Sequence, residues 1–192
     1  MKEIVILGGP NGAGKTTAAN VLLPEFLGTY KFLNADEIAR EVSPGNVESA
    51  ALAAGRILVE RMRRYIRQGE SFALETRCAG KSYVPTFKTC KENGWKIALH
   101  YFWLPSPELS IARVAKRVQQ GGHHIPDEVI YRRFTSGLSN MLNLYLPLAD
   151  IAKIYDNSGY KPLLIAEKRE NSALIIHDLE SWSRMKGLAQ WK

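Results

Sequence analysis

Ten residues near the N-terminus have the types and spacing to hold a phosphate chain. Within Gly8-Gly9-Pro10-Asn11-Gly12-Ala13-Gly14-Lys15-Thr16-Thr17, the run from Gly9 to Thr16 has the spacing G-x-x-x-x-G-K-T of a P-loop. Glycines let backbone N–H groups curl around phosphate oxygens, a helix N-terminus adds partial positive charge, and no side chain blocks the approach. Lys15 is placed to reach β- and γ-phosphates, and the Thr16 hydroxyl to bind Mg²⁺. The flanks agree, because Glu3 to Leu7 predicts a short buried strand and Ala18 to Leu23 a helix start. These residues imply a nucleoside triphosphate with Mg²⁺ as the ligand.

Two carboxylates follow apolar runs further on. Tyr30 to Asn34 predicts a second strand leading into Asp36, and Ser71 to Leu74 a third that ends in Glu75-Thr76-Arg77. In an open parallel sheet the carboxyl ends of the strands line the ligand crevice, so both acids are expected to face the cleft that Lys15 borders. Asp36 equally suits a helix cap. Glu75 suits an ordinary strand-end charge, or a carboxylate that binds a Mg²⁺ water or orients a substrate hydroxyl.

Cations cluster after a fourth strand, Trp95 to Leu104, in which His100 reads as a core histidine. Ser106-Pro107-Glu108 is a helix start with cap, first-turn proline and first-turn acid in order. Ile111, Val114, Ala115 and Val118 take one side of that helix, and Arg113, Lys116, Arg117 and Gln120 the other. It runs into Gly121-Gly122-His123-His124-Ile125-Pro126 before the next start at Pro126-Asp127-Glu128. Helix, glycine hinge, helix is what a mobile lid needs. No acid or cysteine has zinc-ligand spacing with His123 and His124. The second helix carries Arg132 and Arg133 off an apolar stripe of Ile130, Phe134, Leu138, Met141 and Tyr145.

The remaining elements complete an alternating pattern. A helix from Asn46 to about Gln68 is stopped by Gly69, and another ends near Asn93. Asp150 to Asp156 predicts a fifth strand ending in Asn157-Ser158-Gly159, whose polar groups can meet a nucleotide base or form an Asx turn. Pro162 to Glu167 and Ala173 to His177 predict a hairpin. The expected fold is a single α/β domain over residues 1–192, a P-loop NTPase-like three-layer α/β/α sandwich. It has a mostly parallel sheet of about five strands, a helical lid near residues 106–133 and a C-terminal β-hairpin.

Bulk composition narrows the class. At 192 residues and 45% hydrophobic content the chain can build one proper core. The net charge of +7 favours anionic partners, but a phosphate site itself needs basic residues, so nucleic acid stays a secondary possibility. Cys78 and Cys90 are the only cysteines and fit reduced structural thiols. With no signal-like segment and no apolar run of membrane-spanning length, a cytoplasmic protein is expected.

Taken in order, the P-loop, Asn34-Ala35-Asp36, Glu75-Thr76, Arg113-x-x-x-Arg117 before Gly121-Gly122-His123, and Tyr155-Asp156-Asn157-Ser158 resemble the zeta toxin family of P-loop kinases. The resemblance covers about residues 3–160. It implies transfer of the ATP γ-phosphate to a small-molecule hydroxyl, which in characterised members is the 3′-hydroxyl of UDP-N-acetylglucosamine. Asp36 then matches the general base and Arg117 the first of two lid arginines. The second lid charge falls to His123, or to Arg132 or Arg133 further on. Arg113 and Asn157 are expected on the nucleotide side, and Glu75, Thr76, Arg77, His123 and Arg133 around the acceptor. An antitoxin protein is a possible partner. Rival readings are a kinase for a sugar acid, antibiotic, nucleotide or nucleic-acid end, and an ATP-binding component of a toxin–antitoxin pair with little turnover.

Overall fold

The computed structural model describes residues 2–17, 31–46, 49–122 and 124–190. The first strand, β1 (Glu3–Gly8), forms because Ile4, Val5, Ile6 and Leu7 are apolar on both sides of the pleat, and all four have no exposed surface. A strand buried on both faces suits the middle of a parallel sheet. Each of these side chains contributes about 1.5–3 kcal/mol by leaving water.

Around β1 stand β2 (Lys31–Asn34), β3 (Phe72–Thr76), β4 (Lys96–Trp103) and β5 (Ile151–Asp156), all parallel. Two antiparallel strands, β6 (Leu163–Lys168) and β7 (Leu174–Ile176), extend the same sheet, whose order is β2-β3-β1-β4-β5-β6-β7. The expected five parallel strands are therefore present, and the hairpin joins their edge to give seven. The fold is that of a P-loop kinase-like α/β protein.

Helices connect the strands. Among the described residues the longer ones are α1 (Ala35–Val42), α2 (Ala51–Gln68), α3 (Val84–Glu92), α4 (Pro107–Gln119), α5 (Asp127–Asn140) and α6 (Leu179–Ala189), the last of which follows the sheet. Leu58, Phe87, Leu138 and Trp182 bring α2, α3, α5 and α6 into one core with Ile4, Ile6 and Leu74, while Val5, Leu7, Ala73 and Ala98 form a second cluster. A π-helical stretch, Met141–Tyr145, follows α5 and buries Met141 and Tyr145 as the apolar stripe predicts.

Two boundaries differ from expectation. The helix α2 begins at Ala51 and not at Asn46, whose side chain accepts from the Ser49 amide. The stop at Gly69 is as expected, with φ of 68° and its N–H on the carbonyls of Ile66 and Tyr65. The other surprise is α6, unforeseen although Asp178 caps it by accepting from the Ser181 amide. The start of the helix expected after the P-loop is present at residues 15–17, and the rest of it, from Ala18 on, lies outside the described residues.

Candidate active site

Because five strands run parallel, the loops after β1, β2, β3, β4 and β5 all leave the same edge of the sheet. β1 lies between β3 and β4, so the chain crosses to opposite sides there and opens a crevice. The P-loop occupies that crevice. Gly9, Gly12 and Gly14 have φ of 150°, 70° and 67°. A Cβ on Gly9 would stand 2.4 Å from the Phe102 carbonyl oxygen, so only glycine lets the loop lie this close to β4.

The loop is tied down from two sides. Ser110 of α4 donates from its hydroxyl to the Asn11 carbonyl, and the Asn157 side-chain amide donates to the Ala13 carbonyl at 2.6 Å. Arg113 donates to the carbonyls of Asn157 at 2.9 Å and Ser158 at 2.6 Å, with a longer contact of 3.5 Å to Gly12. The guanidinium of Arg113 thus clamps the loop after β5 to the P-loop. Asn157 is at the P-loop, where expected, and in this arrangement holds protein backbone.

Three functional groups converge on Glu75 at the end of β3. Its Oε2 accepts from the Thr16 hydroxyl at 2.6 Å and from the Asn34 amide at 3.1 Å, and its Oε1 lies 3.8 Å from the Lys15 ammonium. Glu75 therefore stands on the Thr16 side of the cleft. Lys15 Nζ also donates to the Pro10 carbonyl at 3.0 Å. Burial lowers the Lys15 pKa from its ordinary value, Glu75 opposes that, and Arg77 adds to it.

Asp36 sits in the first turn of α1, where Asn34 is the cap and accepts from the Asp36 amide at 2.8 Å. Its own carboxylate is thereby left for the cleft. Asp36 Oδ1 takes an ion pair from Arg77 at 3.3 Å, and the Asp36 side chain is 51% exposed. Thr76 accepts from the Cys78 amide at 3.1 Å, which helps turn the chain where Cys78 has φ of 57°. The Cys78 thiol is wholly buried and burial pushes its pKa up to about 12, so it stays protonated. His100 is buried, stacked on Tyr155, and held neutral by burial with a pKa of about 4.

Two adjoining cavities result. The first, of about 230 Å³, is lined by Lys15, Thr16, Thr17, Glu75 and Thr76 together with P-loop glycines, Asp36, Arg77, Arg113 and Arg117. The second, of about 600 Å³, shares Ala35, Asp36, Arg77 and Arg117 with the first and extends to Arg40, His124, Val129 and Arg133. Asp36 stands on their common rim. Arg117, one turn beyond Arg113, lines both. Arg133 also lines the second, whereas His123 lies outside the described residues.

Sequence reasoning gave no role to Asn34, Ser110, Arg40 or Asn140. Asn34 was detectable as a cap two residues before Asp36. Ser110 lies on the apolar side of its helix and gives no local sign that it reaches Asn11. Asn140 shapes the site from behind, donating to the carbonyls of Cys78 and Ala79 at 2.9 and 3.1 Å.

The residues present fit a nucleoside triphosphate and a divalent cation. The cradle admits no Cβ at Gly9 or Gly12, the ammonium is buried at its mouth, and a hydroxyl and a carboxylate meet beside it.

Comparison with known proteins agrees with this geometry. The AAA domain family matches residues 4–134. An uncharacterised protein of Haemophilus influenzae is 31% identical over 126 residues, covering 66% of this chain and 88% of the relative. Among solved structures, the AvrRxo1-ORF1:-ORF2 complex with ATP superposes with a TM-score of 0.76 at 16% identity. All of this chain is covered, and it spans only 65% of that chain. A structure from the PezAT chromosomal toxin–antitoxin system of Streptococcus pneumoniae gives a TM-score of 0.65 at 17% identity, covering 98% of this chain and 87% of that one. The zeta-toxin resemblance read from sequence is thus borne out in fold. Among the described residues, no helix is long and apolar enough to cross a membrane.

Proposed function

The chain belongs to the AAA domain family, and on that premise we propose that it is an ATP- and Mg²⁺-dependent kinase acting on a small-molecule hydroxyl. The observation that carries this reading is the meeting of two cavities at one carboxylate. One side has the phosphate cradle with Lys15, Thr16 and Glu75, the other has space for an acceptor, and Asp36 is on the rim between them. An enzyme that only hydrolyses or senses ATP has no need of the second cavity.

In this reading the P-loop amides and Lys15 hold the β- and γ-phosphates, and Thr16 with Glu75 would hold the metal. Mg²⁺, when bound, offsets the charge of the phosphate oxygens. Asp36 aligns the acceptor hydroxyl and takes its proton as the new bond to phosphorus forms. Arg117, with a second lid cation from His123, Arg132 or Arg133, neutralises charge on the phosphoryl group in flight. Residues 106–133 act as the lid, although Ser110 and Arg113 anchor the beginning of α4, so closure is confined to the part after them. The whole of residues 1–192 works as one cytoplasmic domain.

The zeta-toxin resemblance makes a sugar nucleotide of the UDP-N-acetylglucosamine type the first acceptor to try, and the PezAT likeness makes an antitoxin-like protein a candidate partner. The test is Asp36→Asn. Removing the basic oxygen while keeping the shape should lower transfer by roughly a hundredfold to ten-thousandfold, with ATP affinity by calorimetry little changed. Undiminished transfer in a folded variant would remove Asp36 from the chemistry. Lost ATP binding would assign it to the metal shell instead.

A further inference from the structure

The sheet edge on the hairpin side is apolar and open. Among the described residues no strand lies beyond β7, and β4, β5 and β6 separate it from β1 and the P-loop. Its sequence, Ala173-Leu174-Ile175-Ile176, has no charged residue or proline of the kind that keeps edge strands apart. Ile175 and Ile176 are 45% and 39% exposed, and Leu163 and Leu179, both beyond the Ile176 end, are each 68% exposed. The helix that follows turns back over the sheet, packing Trp182 and Met185 with Ile165 and Ala166 of β6.

The backbone of β7 is divided between its two sides. It runs antiparallel to β6, with Ile175 opposite Glu167 and Ile176 opposite Ala166, and the His177 amide donates to the Ile165 carbonyl at 2.8 Å. In an antiparallel ladder alternate residues turn both N–H and C=O to the same neighbour. Ile175 therefore faces β6, as His177 does, while Leu174 and Ile176 present their polar groups to the open side. Two such edges placed antiparallel about a two-fold axis at Ile175 set Leu174 of each copy opposite Ile176 of the other, and each of these pairs can exchange two hydrogen bonds.

The charges follow the same symmetry. In the turn before β7, Arg169 reaches Glu167 of its own chain at 3.2 Å yet keeps 74% of its side chain exposed, and the acid of that turn, Glu170, is held by Lys96. Asp178 and Glu180 stand at the other end of the strand. Antiparallel pairing lays the basic end of one copy beside the acidic end of the other, whereas parallel pairing would set like ends together.

We propose that β7 is a self-association edge, through which two copies of this chain pair antiparallel over Leu174–Ile176 and continue one sheet into the next. The contact is small, a three-residue strand with Leu163 and Leu179 beside it, so the dimer is weak, with a dissociation constant on the order of tens of micromolar. The cleft at β1 takes no part, and the association does not depend on the kinase reading.

The experiment is sedimentation velocity of the full chain from about 1 to about 500 µM, with amide hydrogen exchange at both extremes. The monomer should give way to a dimer as concentration rises. The Leu174 and Ile176 amides should then exchange several-fold more slowly, and the Ile175 amide, already on β6, should change little. Ile175→Lys places two lysines opposite each other at the axis and should raise the dissociation constant by at least about tenfold. Ile176→Pro removes an outward N–H, which an edge strand tolerates, and should weaken the dimer similarly with the far-UV circular dichroism unchanged. A chain that stays monomeric throughout overturns the proposal, as does a dimer that either folded variant leaves unweakened. Equal protection of Leu174 and Ile176 at both extremes also overturns it, because another segment of the same chain would then cover the edge.

Discussion

The two ends of the cleft are built on opposite plans. At the P-loop end nearly every group is committed. Gly9 is pressed on the Phe102 carbonyl, the guanidinium of Arg113 on backbone oxygens, and the Thr16 hydroxyl on Glu75. At the other end Asp36 is half exposed and, among the described residues, four arginines and one carboxylate line the second cavity. A phosphate chain is the same in every reaction, so its cradle can be rigid and complete beforehand. In the proposed reading the acceptor is particular, and it is the second cavity that must select it.

Substitutions at the two ends should therefore fail in different ways. The largest effect is expected at the junction, where Arg117 lines both cavities. Arg117→Ala should lower the catalytic rate by roughly a thousandfold or more, as for other arginines that meet a transferring phosphoryl group, and weaken ATP binding far less. Steady-state kinetics with varied ATP would show this. A rise confined to the Michaelis constant for ATP would make Arg117 a donor-end binding group and blur the contrast.

Lys15→Ala should cost on the order of a hundredfold in rate and should weaken nucleotide binding as well, measurable by calorimetry. That joint loss is the signature of the preorganised end. Smaller still, Gly9→Ala should destabilise the protein by about 1–3 kcal/mol, because the added methyl meets the Phe102 oxygen and the loop must shift. Denaturant unfolding with and without ATP measures it, and a stability equal to wild type would mean that the cradle is looser than its geometry states. Arg113→Ala should cost about 1–2 kcal/mol by freeing carbonyls that it bridges. Its effect on rate should follow ATP affinity, unlike that of Arg117 one turn away.

The contrast also explains what could be read from sequence. The donor end was legible because its chemistry is local: glycines, lysine and threonine lie within eight consecutive positions and between a strand and a helix start. The parallel sheet was legible for the same reason, since Ile4 to Leu7 and Ile97 to Leu99 declare themselves by unbroken apolar character. Roles that depend on distant partners were not. Arg113 and Arg117 share one face and one residue type, and only the packing of α4 on the P-loop separates a clamp on carbonyls from a cation that lines two cavities. Arg40 reads as an ordinary last-turn cation, and it is the cavity lined by both α1 and α5 that brings it near Asp36 and Arg133. The α6 helix shows the opposite case, a cap signal at Asp178 that was present and passed over.

The central claim, that the committed end feeds phosphate across Asp36 to an acceptor, is tested most directly by following the label of γ-labelled ATP in the wild type and in Asp36→Asn. Label should appear in an organic product with the wild type, and that product should fall by at least about a hundredfold in the variant while calorimetric ATP binding persists. Label released only as inorganic phosphate, at the same rate in both proteins, would contradict it.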